Sequence, residues 1–141
     1  MSSLASEMVA VIGSIPAAER GGTTTNMTGF DLGKFHQALF IVSVGAATGV
    51  TDCKLQESAS TSSGYTDISD KAVTQFSATD DNKQALINLN SSELGDGKRY
   101  VRAVLTCGAG TTIVGVIAIG FVPRFLPGSD NDATSVKEII P

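Results

Sequence analysis

Few residues of this 141-residue chain are of the types that carry out chemistry, and they do not cluster. His36 is the single histidine and stands at the start of an apolar run. A Ser–His–Asp site needs its histidine in a cleft beside an activated serine, and no G-x-S-x-G turn supplies one. Cys53 and Cys107 are the two cysteines, each with apolar neighbours two residues away. A pair makes neither a disulfide framework nor a metal site, so they read either as buried thiols or as one inter-strand bridge. Asp80-Asp81-Asn82 and Asp130-Asn131-Asp132 are oxygen-rich, but neither continues into the glycine and distal glutamate of a calcium loop, and both read as turns. Gly95-Asp96-Gly97-Lys98-Arg99 fails as a phosphate loop. Ser92 stands where the first glycine belongs, and Arg99 replaces the hydroxyl that would hold magnesium. The expectation is a non-enzyme with no catalytic residues, no metal and no cofactor.

The elements that would have to position such groups are strands. Gln84–Asn90, Arg99–Cys107 and Thr112–Phe121 read as a three-strand meander joined by glycine turns. Ala85, Ile87 and Leu89 form one inward set, and Val101, Ala103, Leu105 and Cys107 another. Thr112–Phe121 is apolar on both faces, which predicts either a central strand or one covered by a partner subunit. His36–Val44 is a near-continuous apolar strand, and Val50–Ser58 alternates with Thr51, Cys53 and Leu55 on one face. Asn26–Leu32, Tyr65–Ile68 and Ala72–Phe76 are shorter candidates. No helical period appears. The fold expected is all-β: a single small β-sandwich or jelly-roll-like barrel of about seven or eight antiparallel strands. Residues 26–127 are its domain, flanked by an N-terminal arm over 1–25 and a C-terminal tail over 128–141.

Composition narrows the partners. Net charge is −4 and the ten Lys and Arg residues are scattered, so there is no basic stripe for nucleic acid. Ile113–Val122 is too short to cross a membrane as a helix and ends at Pro123. Charged residues are only 17%, below the roughly one quarter usual in soluble domains. Such a composition suits a β shell packed against neighbours. Asn26-Met27-Thr28 and Asn90-Ser91-Ser92 match a glycosylation pattern that arises often by chance.

Four stretches carry a family resemblance: Cys53-Lys54-Leu55-Gln56-Glu57-Ser58, Gly64-Tyr65-Thr66-Asp67-Ile68, Asp81-Asn82-Lys83-Gln84 and Arg99-Tyr100-Val101-Arg102-Ala103-Val104. With the closing apolar strand and Arg124-Phe125-Leu126-Pro127, they resemble the capsid decoration, or cement, proteins of tailed bacteriophages over residues 36–127. The resemblance implies a virion structural protein on the outside of the head, bound to the major capsid protein and reinforcing contacts between its subunits. It also implies a homo-oligomer, dimer or trimer, without enzymatic activity.

Expected contacts lie on the arms and the strand entrance: Met8, Val9, Val11, Ile12, Phe30, Leu32, Phe125, Leu126, Ile139 and Ile140. Two other readings stay open. One is a different virion component: tail tube, tail terminator or head fibre. The other is a β-sandwich carbohydrate-binding or adhesion module, for which Tyr65 and Tyr100 would be the aromatic platforms.

Overall fold

The computed structural model describes residues 4–125, 131–132 and 136–140. A four-residue helix, α1 (Ala5–Met8), leads into nine strands: β1 (Val9–Arg20), β2 (Thr23–Asn26), β3 (Phe30–Asp31), β4 (Phe35–Ala47), β5 (Thr51–Ser58), β6 (Thr66–Ala72), β7 (Gln84–Asn90), β8 (Tyr100–Cys107) and β9 (Thr112–Pro123). Short 3-10 turns precede β4 (Leu32–Lys34) and follow β7 (Ser91–Glu93).

The pairing is that of one long hairpin rolled up. First pairs with last, β1 with β9; then β2 with β8, β4 with β7, and β5 with β6, all antiparallel. Rolling adds β4 against β9 and β5 against β8. The result is two sheets, β1-β9-β4-β7 and β2-β8-β5-β6, and the chain is a β-sandwich of jelly-roll topology rather than a closed barrel. The ninth strand arises from an interruption. β2 pairs with Val104–Cys107 and β3 with Tyr100 and Val101, so both lie on one edge of β8, separated at Met27–Gly29.

The layers form where the sequence alternates. Phe40, Val42 and Val44 of β4, Val114, Val116 and Ala118 of β9, Leu55 of β5 and Val101, Ala103 and Leu105 of β8 face each other across the interior. Burying each large side chain contributes about 1.5–3 kcal/mol. Phe35 lies against Gly120, where a Cβ would stand 2.7 Å from its ring, so the glycine makes room for the phenyl group. Gly110 turns the chain from β8 to β9 at φ +98°, which only glycine adopts readily.

Three expectations change. β7, β8 and β9 are strands at nearly the bounds read from the sequence, but they form no meander. β4 separates β7 from β9, and β8 belongs to the other sheet. Residues 9–20 are not an arm: β1 is an edge strand whose Ala10, Ile12 and Ile15 enter the core, and the Gly-Thr stretch after it supplies β2. Register shifts after Val11 and after Ile15 break the alternation that would have revealed β1. Ala72–Phe76 is not a strand. β6 ends at Ala72, and Phe76 makes a single bridge to Thr51.

Candidate interaction surfaces

The chemically capable residues resolve into structural roles. Cys53 and Cys107 are free and buried, and no bridge joins them. Burial pushes the Cys53 thiol up to about 12. Asp80 stabilises its turn by accepting from the Ser77 backbone N–H at 2.8 Å and pairing with Lys83 at 2.8 Å. Of the second triplet, Asn131 Oδ1 accepts from the Val11 N–H at 2.8 Å and the Asp132 N–H donates to the Val11 carbonyl at 2.6 Å. The C-terminal segment thereby occupies the free edge of β1 at that residue. Among the described residues no group of three His, Cys, Asp or Glu side chains could hold a metal. No described helix is long and apolar enough to cross a membrane.

The two outer faces of the sandwich differ in chemistry. On the β2-β8-β5-β6 sheet, Asp67 pairs with Lys54 at 2.9 Å and accepts from Gln56 at 2.8 Å, and Gln56 accepts from Arg102 at 2.8 Å. The Arg102 guanidinium lies 4.1 Å from the centre of the Tyr65 ring, covering one aromatic face. The face is polar and charged.

On the β1-β9-β4-β7 sheet, three outward rows cross four strands each: Val9, Phe121, Gln37, Asn90; Val11, Ile119, Leu39, Asn88; and Ser14, Ile117, Ile41, Leu86. None carries a charge. Leu86 is 61% exposed, and Ile113 and Ile117 are each 47% exposed. Pro16 and Ala17 of the β1 bulge bound the far end, where Ala17 lies over Gly115.

A second apolar surface forms where β1 begins and β9 ends. Val9 is opposite Phe121, so Met8 and the exit of β9 share one pole of the sandwich. Met8 is 55% exposed, Val122 53% and Phe125 86%. Val122 has φ +50°, an unusual conformation for a β-branched residue, costing about 1–3 kcal/mol. Arg124 fixes the exit: its N–H donates to the Lys34 carbonyl at 3.0 Å and its Nε to the Gly33 carbonyl at 2.6 Å. Beneath, Arg99 forks onto Asp31, with Nε 3.0 Å from Oδ1, and the Gly33 N–H donates to the same oxygen at 2.7 Å. Burial raises the Asp31 carboxyl, but the Arg99 and Gly33 hydrogen bonds outweigh it and hold the group below its usual range.

The structure divides the expected contact residues. Met8, Phe125, Ile139 and Ile140 are exposed. Val9 and Val11 are half-buried on the apolar outer face, and Phe30 is half-buried with its ring 5.8 Å from that of Phe40. Ile12 and Leu32 are corrected to core residues: Ile12 turns inward at the β1 bulge, and Leu32 is 0% exposed in its 3-10 turn. Leu126 lies outside the described residues. Sequence reasoning did not single out Val122 or Leu86, and it read the second apolar face of Thr112–Phe121 without placing Ile117 and Ile119 beside Leu39 and Ile41. The signal for the patch was the two-sided apolar character of β4 and β9.

Comparison with protein-family models gives no match, and a search of curated proteins gives none either. The surfaces are therefore read from their own residues.

Proposed function

We propose that this chain is a capsid decoration protein of a tailed bacteriophage, a non-enzymatic jelly roll that binds the outside of the head and reinforces contacts between major capsid subunits. The observation carrying this reading is the end of the sandwich where β1 begins and β9 leaves, which exposes Met8, Val122 and Phe125, each by more than half. Exposed apolar side chains grouped on a braced end favour docking onto another protein surface. The resemblance over residues 36–127 supplies the identity of that surface. The low charge fits a component that works inside a lattice, where many copies multiply modest single contacts.

The test is co-sedimentation of the purified chain with expanded, undecorated heads, together with mass spectrometry of virions. Binding at saturable stoichiometry, weakened at least tenfold by Phe125→Asp, is expected. Absence from virions and no binding to heads would overturn the proposal.

A further inference from the structure

We infer that the free edge of β7 is a strand-acceptor site, at which an extended, uncharged segment of another protein adds to the β1-β9-β4-β7 sheet. The inference does not rest on the capsid reading, which concerns the pole.

The phase of the hydrogen bonds shows which groups are on offer. The Lys83 carbonyl accepts from the Val44 N–H at 2.9 Å, so odd-numbered residues of this strand bond toward β4. Even-numbered ones point the other way. The Asn88 carbonyl accepts from Lys71 Nζ at 2.8 Å, and the Asn90 N–H donates to Glu93 Oε1 at 2.8 Å. The N–H and C=O of Gln84 and Leu86 and the N–H of Asn88 point out alongside them, and no described residue meets these groups.

The other edges are guarded. β1 has two register shifts, Pro16 and the C-terminal segment at Val11. β6 carries Asp67, Asp70 and Lys71, with Asp70 at φ +62°. β2 is four residues long and is followed by the break before β3. Gln84–Asn88 stands in unbroken register with β4 and has neither charge nor proline. Such an edge is a template for another strand.

A groove of about 460 Å³ lies beside it, with residues 84–86 on one wall and 73–76 on the other. The second wall is pinned to β5: the Val73 N–H donates to the Cys53 carbonyl and the Phe76 N–H to the Thr51 carbonyl, each at 2.9 Å. This wall selects the occupant. A single extended strand enters the groove, whereas β7 of a second copy is recessed behind its own wall. Asp80 and Lys83 in the groove pair with each other at 2.8 Å, so no charge is left there for a charged side chain to meet. Recognition rests on main-chain hydrogen bonds, with a β-branched or aromatic residue favoured opposite Leu86.

Hydrogen exchange of the full chain tests the premise: the Leu86 and Asn88 amides should exchange at least tenfold faster than those of Ile87 and Leu89. The probe for the site is a blocked peptide of alternating threonine and valine, with a lysine at each end for solubility, titrated to millimolar concentration and followed by amide NMR. Binding should slow exchange at Leu86 and Asn88. The fully N-methylated peptide, which has no donors, should bind at least tenfold more weakly. Leu86→Pro should weaken binding as much with the fold retained, because its N–H faces away from β4. Thr106→Arg on the other sheet should leave binding unchanged. Circular dichroism reads folding, and should Leu86→Pro unfold, the methylated peptide still decides. No binding at millimolar peptide overturns the inference, as does binding that leaves exchange at Leu86 unchanged or that tolerates N-methylation. Phe125→Asp should weaken head binding and leave peptide binding intact, so either proposal can fail alone.

Discussion

Lys71 and Glu93 form a 2.8 Å ion pair that crosses from one sheet to the other. Lys71 is on β6, at the edge of the polar sheet, and Glu93 is on the 3-10 turn after β7. The same ammonium donates to the Asn88 carbonyl of β7 at 2.8 Å. On the opposite side Arg20 of β1 reaches Thr25 Oγ1 of the neighbouring edge at 3.2 Å. The sandwich is thus strapped on both open sides by a cation. Lys71→Met should lower stability by about 1 kcal/mol, read as a shift of the urea midpoint. A midpoint equal to that of the parent chain would show the strap to be idle.

Acid should loosen the fold. Hydrogen bonds from Lys83 and Ser77 take the Asp80 carboxyl from its ordinary 3.8 to about 2. Glu93 is lowered by Lys71 and by the Asn90 N–H, and Asp31 is lowered as described above. A carboxyl depressed in the folded state contributes stability above its unfolded value and loses it as pH falls through the folded value. Thermal midpoints should be flat near neutrality and fall from about pH 4 toward pH 2. Asp80→Asn should reduce that slope. A midpoint that rises on acidification would contradict this assignment.

Gly120→Ala should be costly. The added Cβ would stand 2.7 Å from the ring of buried Phe35, which would have to shift to admit it. A loss of about 1–3 kcal/mol is expected, measured by chemical denaturation. Phe35→Leu should recover part of it in the double variant, whereas strict additivity would place the strain elsewhere.

Val122→Gly should have opposite effects on folding and docking. It relieves the φ +50° strain and should stabilise the chain by about 1 kcal/mol. It also removes an exposed apolar side chain from the pole and should weaken binding to heads. Stabilisation with full binding would remove Val122 from the docking surface.

Both thiols should resist alkylation in the native chain and react fully after unfolding. Cys53 is held as the neutral thiol by burial, and Cys107 is buried beside Thr51 Oγ1 at 3.9 Å. An intact mass two units low, with no labelling after unfolding, would reveal a bridge.

The fold was legible where one face is wet. In β5, β7 and β8 the inward residues mostly alternate with polar ones and are buried as read, with apolar Leu86 and buried Val104 as the exceptions on the other side. Pairing was less legible, because a long rolled hairpin and a set of local hairpins have similar alternation. β1 was hidden by its bulges and Pro16, which interrupt period two at the positions that define it. The pole was not legible as a unit: Met8 and Phe125 were expected contacts, but they lie near opposite ends of the chain, and only the β1–β9 pairing brings the start of β1 beside Val122. The outer apolar face was half visible. The paired runs in β4 and β9 announced a second buried side, and the topology shows that this side points out of the sandwich.

The nesting of strands has a kinetic consequence. β1 completes its pairing only with β9, roughly a hundred residues later, so a ribosome must synthesise nearly the whole chain before the first strand has its partner. Until then Ala10, Ile12 and Ile15 are unsheltered while the inner hairpin of β5 and β6 can already close. Folding should therefore proceed from the middle outward and end with the zipping of β1 onto β9. That last step assembles the pole, so a molecule still on its way to the native state has no finished docking end to offer.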